Sequence, residues 1–306
     1  MNKIVKSLFA TMLSAIAVVS MASCKNDAEI KVYTRDTSSG TREGFFEGIG
    51  YGEAKKDDTK LVKGAVPVSG NDTMMSSVKN DKYGIGYISL SSLADSGLKG
   101  LVFEGVEPTE ANVVNKSYKL TRNFNYCLRE TYTDTNVENI VHAFVAYMDT
   151  VEGNATIKTH GGIIENAATK SWNDVKENYK VAQSDNSNIT IRVGGSTSVK
   201  SIVGALLTEF SGKCGGFKFE HNATGSGDAY KRTNGSDKDG ANACDLAFAS
   251  REFNNSTEPM ADALKGKMCI DAIVAVVNKS NKLNSVTAAN LKDIYSGTIT
   301  KWSELE

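Results

Sequence analysis

The sequence predicts an α/β fold in two lobes, and three observations carry the prediction. Short apolar stretches of strand character alternate with stretches whose apolar residues recur at helical spacing. The chain has 306 residues, enough for one large or two medium domains, and a globular composition of 40% hydrophobic and 23% charged residues. Two small, hydroxyl-rich loops each run into an amphipathic helix: Arg35-Asp36-Thr37-Ser38-Ser39-Gly40-Thr41 near the start, and Gly194-Gly195-Ser196-Thr197-Ser198 deep in the second half.

The first residues stand apart. Lys3 and Lys6 precede an apolar run from Leu8 to Val19, and Met21-Ala22-Ser23-Cys24 follows. A basic start, a short hydrophobic stretch and small residues at its exit describe a secretory signal over 1–24, too short for a membrane span. Cys24 after Met-Ala-Ser resembles a bacterial lipobox, whose cysteine is acylated and becomes the new N-terminus; the plain alternative is a signal peptide in which Cys24 is incidental. The formal charge is −1, and loss of Lys3 and Lys6 leaves −3. No global field therefore points to nucleic acid or to a membrane surface.

After a short tether over 25–29, Ile30 to Tyr33 reads as a strand, and Phe45 and Phe46 bury one face of the helix behind the first loop. Tyr83 to Ile88 is a buried strand with glycines where backbones approach closely, and Tyr118 to Leu128 is another strand. Val137, Ile140, Val141, Phe144, Val145 and Met148 mark an amphipathic helix. Between Ile164 and Asn188 the composition turns polar, the best linker candidate, with Trp172 and Val175 able to dock on the surface.

At Ile189 the apolar pattern restarts. Ile189, Ile191 and Val193 alternate up to the second loop, and Val199, Ile202, Val203, Leu206, Leu207 and Phe210 follow as a helix. Asp245 to Phe248 and Ala272 to Val277 read as buried strands, the latter apolar throughout as parallel strands are. Thr287 caps a helix carrying Leu291, Ile294 and Tyr295. No internal repeat is present.

Cys127, Cys214, Cys244 and Cys269 show no Cys-x-x-Cys spacing, and His142, His160 and His221 are scattered. Neither a metal site nor a cofactor is indicated, and no nucleophile stands with its base, so an enzyme is not expected. Cys214 and Cys244 can be a pair or buried free thiols. What remains is oxyanion chemistry in four segments: Gly195 to Ser198; Gly225-Ser226-Gly227; Ala249-Ser250-Arg251; and Arg35 with Ser39, Gly40 and Thr41. Each alone is an ordinary turn. Together they offer hydroxyls, N–H donors at helix starts and a guanidinium whose fork matches a tetrahedral anion.

The segments V-G-G-S-T-S-V, A-T-G-S-G, D-L-A-F-A-S-R, I-V-A-V-V-N-K-S-N, L-K-D-I-Y-S-G-T-I-T-K-W, R-D-T-S-S-G-T-R and G-I-G-Y-I, with G-V-E-P-T and Y-K-L-T-R, resemble those of the phosphate-binding proteins of bacterial phosphate ABC transporters. The likeness spans nearly all the chain after the signal except the linker. The family order, however, begins at the V-G-G-S-T loop and runs through K-W into R-D-T-S-S-G-T-R, so this sequence resembles a circular permutant; a fragment spanning two tandem copies would give the same text.

The resemblance implies a two-lobed periplasmic-binding-protein fold (type II) with two crossing hinge strands, near Ala272–Asn278 and Tyr118–Arg122. One lobe is then continuous over 119–275, containing a permutation linker at about 165–188. The other is discontinuous, 29–118 plus 276–306, and the new chain ends should be neighbours on it. Carried over by position, the phosphate-binding set is Thr197, Ser198, Ser226 and Ser250 from the first lobe with Arg35, Ser39, Gly40 and Thr41 from the second.

Neutral dipoles with one Arg lower the cost of desolvating a dianion, and closing the cleft completes the donor set. Some family members have Asp where Ser250 stands, which accepts the phosphate proton and rejects sulfate. Asp36 and Asp228 flank the site and can supply that acceptor, or cap a helix or pair with Arg. The expected function is a monomeric receptor, anchored by lipid on the outer face of the cytoplasmic membrane, that passes inorganic phosphate to an ABC permease. Its alternatives are a protein for another tetrahedral oxyanion, sulfate or molybdate, or a surface adhesion module with a degenerate pocket.

Overall fold

The computed structural model of the protein describes residues 28–305; the expected signal and Cys24 lie outside the described residues. Strand β1 (Lys31–Arg35) leads through the first loop into α1 (Gly40–Gly48), whose N-cap Ser39 accepts from the Arg42 N–H. Phe45 and Phe46 of α1 are fully buried. Strand β2 (Val66–Val68), helix α2 (Gly70–Asn80) and strand β3 (Gly84–Ser89) follow, and β1 pairs in parallel with both strands. At Gly86 a Cβ would lie 2.5 Å from Met74 Sδ, so the glycine lets α2 pack directly on β3.

Helix α3 (Leu93–Ser96), strands β4 (Lys99–Gly100) and β5 (Val102–Phe103) and helix α4 (Glu110–Val114) lead to β6 (Thr121–Leu128). Helix α5 (Thr135–Met148) is capped by Asp134 and buries Ile140, Val141, Phe144 and Met148, as their spacing requires. Helices α6 (Val151–Thr159) and α7 (Trp172–Val175) precede β7 (Thr190–Gly195), α8 (Lys200–Lys213), β8 (Lys218–Ala223), α9 (Gly227–Thr233) and β9 (Leu246–Ala249). The chain closes with β10 (Lys265–Val277), β11 (Ser285–Val286) and α10 (Ala288–Ser296).

Among the described residues the main sheet runs β2-β1-β3-β10-β6-β9-β7-β8, with β4 also pairing β10. Two cores flank it. One gathers side chains of 124–269, including Phe144, Ile191, Leu206, Phe210 and Phe248. The other gathers 32–120 and 272–302, including Phe45, Tyr87, Ile273, Leu291 and Trp302, together with Ile163. Each fully buried side chain of this size contributes roughly 1.5–3 kcal/mol of transfer free energy.

Strand β10 passes from one core to the other: Lys265 to Ala272 pair with β6, and Ile273 to Val277 pair with β3. The expectation that Ala272 to Val277 is parallel fails here, because β10 is antiparallel to β3, β4 and β6. Its apolar run reflects coverage on both faces, which a central antiparallel strand also needs when helices lie on each side. The polar stretch after Ile164 also packs: Trp172 and Val181 are buried, and the Trp172 ring meets Phe210 edge-on at 5.1 Å. Glu29 bridges Lys301, and Ile30 N–H donates to the Thr300 carbonyl at 2.8 Å, so the two described ends are neighbours.

Candidate functional site

Arg35 ends β1 and is 1% exposed. Its position is fixed from below. Its backbone N–H donates to Tyr87 Oη at 3.0 Å, the same hydroxyl shares a 2.8 Å hydrogen bond with Thr34 Oγ1, and the Tyr87 ring stacks on Phe45 with centroids 4.0 Å apart. Tyr295 Oη donates to the Tyr33 carbonyl at 3.0 Å and completes this aromatic floor. Such ring pairs add about 0.5–1.5 kcal/mol beyond their buried area.

The guanidinium has neutral partners. Nη1 donates to Asn71 Oδ1 at 3.2 Å and Nη2 to Thr197 Oγ1 at 3.1 Å, while Nε is buried with no hydrogen-bond partner. The ion pair with Asp36 Oδ2 is long, 4.0 Å, and Asp36 Oδ1 accepts from the Ser38 N–H and hydroxyl. Burial pulls the Arg35 pKa below its ordinary value against an opposing pull from Asp36. A guanidinium still keeps its proton under these conditions, so a positive charge stands in a dry place among dipoles.

Hydroxyls surround it. Thr41 Oγ1 lies 2.9 Å from Ser198 Oγ, Ser226 Oγ lies 3.0 Å from Ser250 Oγ, and the Ser250 N–H donates to Ser226 Oγ at 2.9 Å. Gly40 opens α1 against this pair: a Cβ there would be 2.7 Å from Ser226 Oγ and 2.8 Å from Ser250 Oγ. The Gly227 N–H donates to the Ser38 carbonyl at 3.0 Å. As the first residues of α1, Gly40 and Thr41 carry N–H groups that helix geometry leaves without intrahelical acceptors. At the end of β7, Gly195 has φ +98°, and a Cβ would overlap the Phe248 carbonyl; only glycine lets the loop turn here toward Ser196, Thr197 and Ser198.

All eight residues expected from the sequence thus converge. Thr197, Ser198, Ser226 and Ser250 come from segments beside β7, β8 and β9; Arg35, Ser39, Gly40 and Thr41 come from the β1–α1 turn. Ser39 is the partial exception, since its hydroxyl is used as the cap of α1. Asp36 likewise serves its own turn, and Asp228 sits in the first turn of α9, where a carboxylate complements the helix dipole.

The expected set lacked Asn71, which is buried, accepts from Arg35 and donates to Ser92 Oγ at 3.3 Å. Its signal was a small Ser69-Gly70 run at a helix start, the same character as the loops that were recognised. Cys127, Cys214, Cys244 and Cys269 are all buried free thiols, which closes the question of a Cys214–Cys244 pair. Among the described residues no group of three or more His, Cys, Asp or Glu side chains is placed to hold a metal.

Comparison with known proteins agrees with this picture. Residues 180–306 match the family model of a PBP superfamily domain. The chain is 28% identical over 309 residues to "Phosphate-binding protein PstS 2" of Streptococcus agalactiae, an alignment that covers 96% of this chain and 98% of the relative. Its counterpart of the same name in Streptococcus pneumoniae is 27% identical over 281 residues, covering 90% and 88% of the two chains.

The crystal structure of a phosphate ABC transporter phosphate-binding protein from S. pneumoniae superposes with a TM-score of 0.63 at 25% identity, covering 91% of this chain and all of that one. An alignment running through nearly all of both chains means that the order of segments here is also the order in the S. agalactiae relative. The resemblance drawn from the sequence therefore holds, and the chain is, over nearly its whole length, similar to the phosphate-binding proteins of bacterial ABC transporters on a periplasmic-binding-protein fold.

Proposed function

We propose that the chain captures inorganic phosphate in a cleft between two lobes and hands it to an ABC permease. The observation that carries this is Arg35: a guanidinium 1% exposed, held by the neutral Asn71 and Thr197, amid hydroxyls from both cores. A buried cation with dipolar partners is costly alone and is offset by an anion that accepts its remaining donors. The phosphate contacts are assigned to Arg35, Ser39, Gly40, Thr41, Thr197, Ser198, Ser226 and Ser250, with Asn71 orienting the guanidinium. The names of the relatives support phosphate as the anion and a transporter as the context.

The lobes are 119–275 and 29–118 plus 276–306, with β6 and β10 crossing between them. The order of the two loops is circularly permuted; the pairing of Glu29 with Lys301 and the segment order common to the S. agalactiae relative favour this over a fragment of two tandem copies. Export, acylation at Cys24 and a monomeric state on the outer face of the cytoplasmic membrane complete the proposal. Titration calorimetry with phosphate at neutral pH, repeated with sulfate and molybdate as competitors, tests it. Saturable heat with phosphate that tenfold sulfate does not abolish is expected; absence of phosphate heat overturns the proposal. A site whose acceptors are hydroxyls rather than a carboxylate makes sulfate the competitor to watch.

A further inference from the structure

Beside the anion cluster, and outside it, an ion pair joins the two halves of the site. Arg251 follows Ser250 in the loop after β9, and its guanidinium is fixed on its own side by a bidentate pair with Glu258: Nη1 to Oε2 at 2.8 Å and Nη2 to Oε1 at 2.7 Å. Nη1 also donates to the Glu252 carbonyl at 2.8 Å. Glu258 is buried and further held by the Asn254 N–H at 2.9 Å, so Arg251 is a rigid post. The edge left over is Nε, and it lies 3.5 Å from Glu43 Oε2 on α1.

Glu43 belongs to the first turns of the helix whose start supplies Gly40 and Thr41. The pair therefore links the segment carrying Ser250 to the segment carrying Thr41, one residue from each half of the cluster. A cavity of about 540 Å³, lined in part by Glu43, Arg122, Ser250, Arg251 and Glu252, opens beside it. The side chains are only 14% and 24% exposed, so the attraction is screened less than at an open surface.

Resting on the phosphate proposal above, we infer that the Glu43–Arg251 ion pair is a latch that holds the two lobes together over the bound anion without touching it. Because the pair forms only when α1 meets the β9 loop, it acts on escape of the ligand rather than on its capture. Glu43 and Arg251 are positioning residues.

The test is stopped-flow measurement of phosphate association and dissociation on the full chain for wild type, Glu43→Gln and Glu43→Lys, with Lys55→Gln as control, since Lys55 also approaches Glu43, at 3.9 Å. Glu43→Gln is expected to raise the dissociation rate about three- to tenfold with association within twofold, and Glu43→Lys to raise it more. The wild-type dissociation rate should rise with salt and that of Glu43→Gln should not. Small-angle scattering without ligand should find Glu43→Gln more open than wild type. An unchanged dissociation rate in Glu43→Gln, or the same change in Lys55→Gln, overturns the latch. Absence of phosphate binding in wild type overturns the phosphate proposal instead, and the scattering comparison still judges the latch.

Discussion

Arg35 and Arg42 lie seven residues apart in one motif and are both buried to within 1%, yet their surroundings differ in kind. Arg42 is tied to the framework: Nη2 and Nε donate to the Ala54 carbonyl at 2.6 and 3.3 Å, Nη1 donates to the Arg35 carbonyl at 2.9 Å, and Asp58 pairs its charge. Arg35 has two neutral side-chain partners, one of them from the loop after β7, and an unpartnered Nε. Burial alone does not separate a structural arginine from a binding one. What separates them is whether the protein itself neutralises the charge.

That difference breaks cleanly under matched substitutions, and it has the largest effects. Arg42→Met should destabilise the protein by about 2–4 kcal/mol, because it leaves the buried Ala54 and Arg35 carbonyls without their donor, while the exposed Asp58 carboxylate turns to water. Arg35→Met should leave the ligand-free protein at least as stable as wild type in urea unfolding, since it removes a buried charge with no strong counter-ion. The same variant should weaken phosphate binding by about 10²–10³-fold in calorimetry, the worth of two charge-assisted hydrogen bonds. Equal loss of stability in both variants would erase the distinction.

Gly40→Ala sharpens the comparison at the next level down. Gly40 is helical, so alanine suits its backbone, but the added Cβ would sit under 3 Å from the Ser226 and Ser250 hydroxyls. Stability should hold, while phosphate affinity should fall about tenfold as the lobes fail to close fully. A Tm drop with unaltered affinity would place Gly40 in the framework with Arg42.

Most of the cluster was legible because its residues sit in local motifs: a strand end, a Gly or Ser turn and a helix start are consecutive in sequence. Asn71 was not, since its partner Arg35 is 36 residues away and Ser69-Gly70-Asn71 has no mark beyond small size. The Glu43–Arg251 pair was invisible for the same reason, being a contact between α1 and the loop after β9, far apart in sequence. The direction of β10 was also hidden. An apolar run reports coverage on both faces, and it says nothing about whether Cys127 or Ile88 runs with or against it. The polar stretch after Ile164 reads as linker because Trp172 and Val181 are isolated in sequence, although both reach one core.

His221 completes the comparison through pH, and it fixes what an unpartnered buried nitrogen means. Its Nε2 on β8 is buried without a partner, as Arg35 Nε is. Burial, with Lys200 nearby, pulls its pKa from 6.5 down to about 4. As pH falls, the unfolded chain takes up this proton first, so the stability it secures is full above pH 6.5 and is lost between 6.5 and 4. The loss by pH 4 is on the order of 3 kcal/mol. Urea midpoints from pH 7.5 to 4 should fall less steeply in His221→Gln than in wild type, and parallel curves would show that the imidazole keeps an ordinary pKa. The imidazole sheds its charge and needs no counter-ion at neutral pH; a guanidinium has no such exit. Of the two, only Arg35 therefore keeps a charge at neutral pH, which is what the proposed anion site needs.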